Sequence, residues 1–130
     1  MNEQELRSRT KLFARRILSL VEALPHTRSG NIIAGQLGRS GTSVGANYRA
    51  VCRARSAADF IAKLGVVEEE ADESAFWMKL VIDGEMLPVD RVRPLWGEAD
   101  ALTAIMVASP KTVSGRMRKS KVENRNSPCL

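Results

Sequence analysis

Residues 40–60 read SGTSVGANYRAVCRARSAADF. Two glycines, Gly41 and Gly45, precede the arginines Arg49, Arg53 and Arg55. A glycine loop that cradles phosphate would need a preceding strand and a GxxxxGK[ST] spacing. The longer run GRSGTSVGANYR has neither the strand nor the lysine. At helical period the segment makes better sense. With 100° per residue, Ile33, Leu37, Val44, Tyr48 and Val51 fall within about 60° of one another. The spacing predicts a helix from near Ser29 to about Arg55, with Arg39, Arg49 and Arg53 within about 80° on another side. Gly35, Gly38, Gly41 and Gly45 each weaken such a helix by about 1 kcal/mol relative to alanine. Close approach of a neighbouring helix is the expected reason for so many.

Outward from this segment, the same period recurs three times. Before it, Leu6, Phe13, Ile17, Leu20 and Leu24 mark one face of a helix that Pro25 ends, and PHTRSG makes the turn. After it, Ser56 and Asp59 form a variant capping box. Phe60, Leu64, Val67, Ala71, Ser74, Ala75, Met78 and Val81 then share one side, as far as Asp83-Gly84. The outer face of that helix carries EEEADE, residues 68–73. Beyond the connection DGEMLPVD, a fourth stripe runs through Val92, Leu95, Ala99, Leu102 and Met106, and Pro110 is expected to end or kink it. The fold class that follows is all-α: an antiparallel up-down-up-down four-helix bundle over residues 1–109. Residues 110–130, polar and basic, are expected to form a disordered tail.

Composition narrows the function classes. A chain of 130 residues with 44% apolar residues fits one globular domain. Aromatics at 5% and the lack of alternating Val/Thr runs argue against a β-sandwich or barrel. No apolar run is long enough to span a membrane and no signal core opens the chain, so a cytoplasmic protein is expected. Cys52 and Cys129 match neither a disulfide framework nor a zinc spacing. His26 stands alone in a turn. Glu69, Glu70 and Glu73 have no histidine to join them as metal ligands and read as a solvated or ion-paired face. No enzyme, metal or cofactor is expected.

The charge is unevenly placed. Residues 1–65 hold eleven Lys/Arg against four Asp/Glu, residues 66–109 three against ten, and residues 110–130 six against one. The basic front half makes Arg39, Arg49 and Arg53, with Arg15 and Arg16 of the first helix, the candidate nucleic-acid-binding residues. Such contacts would be made to phosphates and would weaken as salt rises. The alternative is pairing of these arginines with the acidic third helix, within a subunit or across an interface. Asn47 and Ser43, on the flank of the second stripe, are expected to join a polar network with Asp59 or Glu73.

Residues 36–81, QLGRSGTSVGANYRAVCRARSAADFIAKLGVVEEEADESAFWMKLV, resemble a family of bacterial four-helix-bundle proteins. Its members include proteins encoded in intervening sequences of large-subunit ribosomal RNA genes. It is similar in fold to accessory proteins of diversity-generating retroelements. The resemblance rests on Arg39-Ser40, Ser43-Val44, Asn47, Arg55-Ser56, Asp59-Phe60, Glu70-Ala71 and Phe76-Trp77. It implies a homo-oligomer, a ring-shaped pentamer, with a basic surface for RNA or DNA and possible partnership with a reverse transcriptase. A purely structural or protein-interaction scaffold is the other class of function open to it. Two departures stand out. Where such proteins often carry Glu-Ala, this chain has Ala50 and Val51, so an acidic member of the inner polar network is missing. Pro110 interrupts what is usually a continuing last helix.

Overall fold

The computed structural model describes residues 1–123, with side chains as far as Ser109. Four helices follow one another: α1 Glu3–Ala23, α2 Arg28–Val51, α3 Ala57–Asp83 and α4 Val89–Glu123. Among the described residues there is no strand. Each helix packs against its neighbours in the chain, and α1 closes the ring against α4 through the slightest of the four contacts. This is the expected antiparallel up-down-up-down bundle. Its core is continuous, with Phe13, Ile17, Leu37, Leu64, Met78, Leu102 and Met106 almost fully buried.

The helix starts are capped by side chains. Asn2 accepts from Glu5 N–H at 2.8 Å, Thr27 from Gly30 N–H at 3.0 Å and Ser56 from Asp59 N–H at 3.0 Å. Each satisfies a donor that the first turn leaves without an intrahelical partner. Ser56 does so from an extended backbone (φ −159°, ψ 167°). The chain must therefore leave α2 before it, and α2 stops at Val51, four residues short of the expected end at Arg55.

The glycines of α2 divide by position. A Cβ on Gly41 would lie 2.5 Å from Ile17 Cγ1, and one on Gly45 would lie 3.2 Å from the carbonyl of Thr10. These two let α1 approach, as the sequence suggested. Gly35 faces open space, with nothing within 4 Å of a Cβ.

α4 corrects one expectation. It runs through Pro110 to Glu123, so Pro110 does not end it. Proline removes a single N–H from the helical ladder. The preceding Ser109 turns its hydroxyl onto the carbonyl of Ile105 at 2.8 Å, within the same helix. The helix α4 thus extends past residue 109, where the bundle was expected to end. The rest of the tail, residues 124–130, lies outside the described residues.

Candidate nucleic-acid interface

The N-terminal half of α1 and the C-terminal half of α2 lie side by side, held close by Gly45 against Thr10. Between them runs an open groove of about 570 Å³. Arg7 and Lys11 line it from α1 and Arg49 from α2, with the neutral polar groups of Gln4, Ser8 and Thr42. Arg7 and Lys11 are one helical turn apart, about 6 Å along the axis. Among the described residues, no carboxylate lines the groove. Among the described residues, none of these three cations forms an ion pair.

A second cationic cleft, of about 520 Å³, opens where α2 passes into α3 and is lined by Ala50, Arg53, Arg55, Asp59 and Lys63. It lies at the same end of the bundle, because Arg53 follows Arg49 by four residues. Its carboxylate is engaged. Asp59 accepts from Lys63 Nζ at 2.6 and 2.7 Å and from the Arg55 N–H at 3.1 Å. The Lys63 hydrogen bond, and then the Arg55 N–H, hold the Asp59 carboxyl below the usual carboxylate range.

The five arginines singled out from the sequence do not form one patch. Arg49 is in the groove and Arg53 in the second cleft, on the turn after α2 rather than on the helix. Arg15 is exposed and Arg16 half-buried on α1, and neither lines the groove. Arg39 crosses to α3, where it pairs with Glu70 at 2.8 Å and with Glu73. The Glu73 hydrogen bond, with Glu70 beside it, holds its guanidinium still more firmly in the charged form. Arg39 thus follows the intrasubunit alternative, and the seam between α2 and α3 is where the basic and acidic blocks meet.

The expected network around Asn47 is corrected too. The Asn47 amide bonds only within its own helix, to the Ser43 carbonyl at 2.9 Å and hydroxyl at 2.7 Å. Glu73 is taken by Arg39 and by the Trp77 indole N–H at 3.1 Å, and Asp59 by Lys63. The buried polar link between α2 and α3 is instead Ser40 with Ser74, their hydroxyls 2.9 Å apart and both fully buried. Ser74 also reaches the Glu70 carbonyl at 2.9 Å, so neither hydroxyl is left unsatisfied. On the opposite seam, Arg9 clasps Glu98 in a bidentate pair, 2.7 Å on each side, joining α1 to α4.

Sequence reasoning missed the pairing of Arg7 and Lys11 with Arg49. The available signal was the antiparallel order of α1 and α2, which brings the first turns of one beside the last turns of the other. Among the described residues, no group of three His, Cys, Asp or Glu side chains is placed to hold a metal ion. Nor is any described helix long and apolar enough to cross a membrane.

The model of the 23S rRNA-intervening sequence protein family matches residues 2–108. A solved structure also resembles the chain: a protein of unknown function from the S23 ribosomal protein family of Bacteroides thetaiotaomicron. The two are 30% identical and superpose with a TM-score of 0.78, over 85% of this chain and 99% of the other. No curated protein is matched.

Proposed function

Because the chain belongs to the 23S rRNA-intervening sequence protein family, we propose that it is a non-enzymatic accessory protein that binds RNA through phosphate contacts. The observation that carries this reading is the α1–α2 groove, in which Arg7, Lys11 and Arg49 meet with no carboxylate among the lining residues. Cations clustered without counter-charges repel one another, and a phosphate row relieves that repulsion while releasing its own condensed counterions. The test is a filter-binding titration against mixed-sequence RNA over a salt series. Log affinity is expected to fall linearly with log salt. The double variant Lys11→Ala/Arg49→Ala is expected to bind more weakly, with the slope flatter by about 0.7–0.9 per lost contact. Absence of wild-type binding at about 50 mM salt, where such contacts are strongest, would overturn the reading.

A specific observation also favours assembly of several copies. At the other end of the bundle, exposed apolar side chains stand on two separate faces. Phe76 and Leu80 project from α3, and Leu18 and Ile32 from α1 and α2, beside the open Gly35. Two different patches at one level suit a head-to-tail contact between copies, which closes into a ring where the rotation allows. Such a ring would leave every cationic groove at the same end and multiply weak phosphate contacts by avidity. The number of subunits rests on the resemblance alone, as does a reverse transcriptase as partner.

A further inference from the structure

We propose that the cationic groove takes a base-paired segment of nucleic acid and holds its two-stranded backbone, rather than an unpaired strand; this deepens the RNA-binding reading and rests on it. Proteins that hold single strands combine a basic groove with aromatic rings on which the bases stack. Here every aromatic residue of the chain can be placed, and none is in the groove. Phe13, Tyr48 and Phe60 are buried in the core. Trp77 and Trp96 are half-buried and packed on it, Trp77 with its indole N–H on Glu73. Phe76 is the one well-exposed ring, 55% accessible. It stands edge-on to Trp77 with centroids 5.1 Å apart, and it follows the acidic run of residues 68–73. The bases of a strand stacked there would bring their phosphates against carboxylates.

The groove itself favours an ordered ligand. Its walls are two long helices locked together where Gly41 admits Ile17 and Gly45 meets Thr10, so Arg7, Lys11 and Arg49 project from rigid elements. Cations rooted at fixed spacing on two helices match best a row of phosphates that is itself at fixed spacing, which a duplex has and a flexible strand lacks. Gln4 and Ser8 add neutral hydrogen-bonding groups, of the kind that meet sugar hydroxyls and phosphate oxygens on duplex RNA.

The experiment compares full-length protein on three probes with equal numbers of phosphates: a mixed-sequence RNA duplex, an unpaired uridine strand and a DNA duplex of the same sequence. Fluorescence anisotropy is read at about 50 mM salt. The expected result is duplex RNA bound about tenfold or more tightly than the unpaired strand. Arg49→Ala should weaken the duplex complex and narrow its advantage over the unpaired strand. DNA duplex bound as well as RNA duplex also supports the proposal and makes the backbone, not the sugar, the recognised feature. An unpaired strand bound equally or more tightly overturns the inference but leaves the RNA-binding reading standing. No binding to any probe overturns both.

Discussion

Gly41 and Gly35 sit on the same helix and answer opposite demands. Alanine at either position raises helix propensity by about 1 kcal/mol. At Gly41 the new methyl would lie 2.5–2.8 Å from three atoms of Ile17, one of them its Cβ, so relief requires α1 itself to move. Overpacking of that kind costs about 1–3 kcal/mol. Gly41→Ala is therefore expected to destabilise in urea unfolding, whereas Gly35→Ala, with open space around it, should stabilise by about 0.5–1 kcal/mol. A Gly41→Ala protein as stable as wild type would mean that this glycine does not set the α1–α2 approach. The end of α3 carries a different backbone demand. Asp83-Gly84 read as the stop signal, yet Gly84 has φ −82° and the left-handed position falls on Glu85, at φ 53°. Glu85 N–H donates to the Ile82 carbonyl at 3.1 Å and Met86 N–H to that of Val81 at 3.0 Å, the double bond of a Schellman ending. A left-handed non-glycine residue costs roughly 1–2 kcal/mol. Glu85→Gly should recover about 1 kcal/mol of that, seen as a higher denaturation midpoint with unchanged slope; an unchanged midpoint would show that the turn tolerates glutamate without strain.

At the scale of the element, α3 was the most legible helix, and its start makes the next prediction. Asp59 is held below its ordinary range by Lys63 and the Arg55 N–H, so its charged form is favoured by folding. A depressed folded-state value means a contribution fully present above the ordinary carboxylate range and lost as pH falls through the folded value, below that range. In an NMR titration the Asp59 carboxyl should titrate below an ordinary aspartate, and Lys63→Met should move it upward; an ordinary midpoint in the wild type would remove this coupling. The four-fold recurrence of the 3.6-residue period made the bundle readable, because each apolar stripe buries against the others without help from long-range pairing. The end of α2 was not readable in the same way. The periodic stripe ends with Val51, but Arg53 and Arg55 continue the wheel and show no breaker; only the extended backbone that Ser56 needs as a cap ends the helix. Likewise the fate of Arg39 depends on which turn of α3 lies opposite, a register that composition does not encode. The groove needed that kind of information too: Arg7 and Arg49 are far apart in the chain, and only the α1–α2 packing at Gly41 and Gly45 brings their turns level.

For the whole molecule, the cationic groove and the exposed apolar side chains of α3 are the features that tie fold to proposed function. α3 carries apolar residues well beyond its core side: Ile61, Val66, Phe76 and Leu80 are all exposed. If copies assemble through this face, Phe76 is its largest anchor, and Phe76→Asp would place a charge against the apolar patch of the next copy. Because Phe76 is 55% exposed, the change should leave the subunit fold and its circular dichroism intact. Light scattering at micromolar concentration is then expected to give a multiple of the subunit mass for wild type and the single-subunit mass for the variant. RNA affinity should fall with it although no cation has been altered, since avidity is lost while each groove survives. A single-subunit mass for wild type would sink the assembly reading and leave the groove to act alone. A variant that keeps the wild-type mass would place the contact elsewhere than α3. Affinity that holds while the mass falls would separate the two functions and show that one groove suffices to grip its ligand.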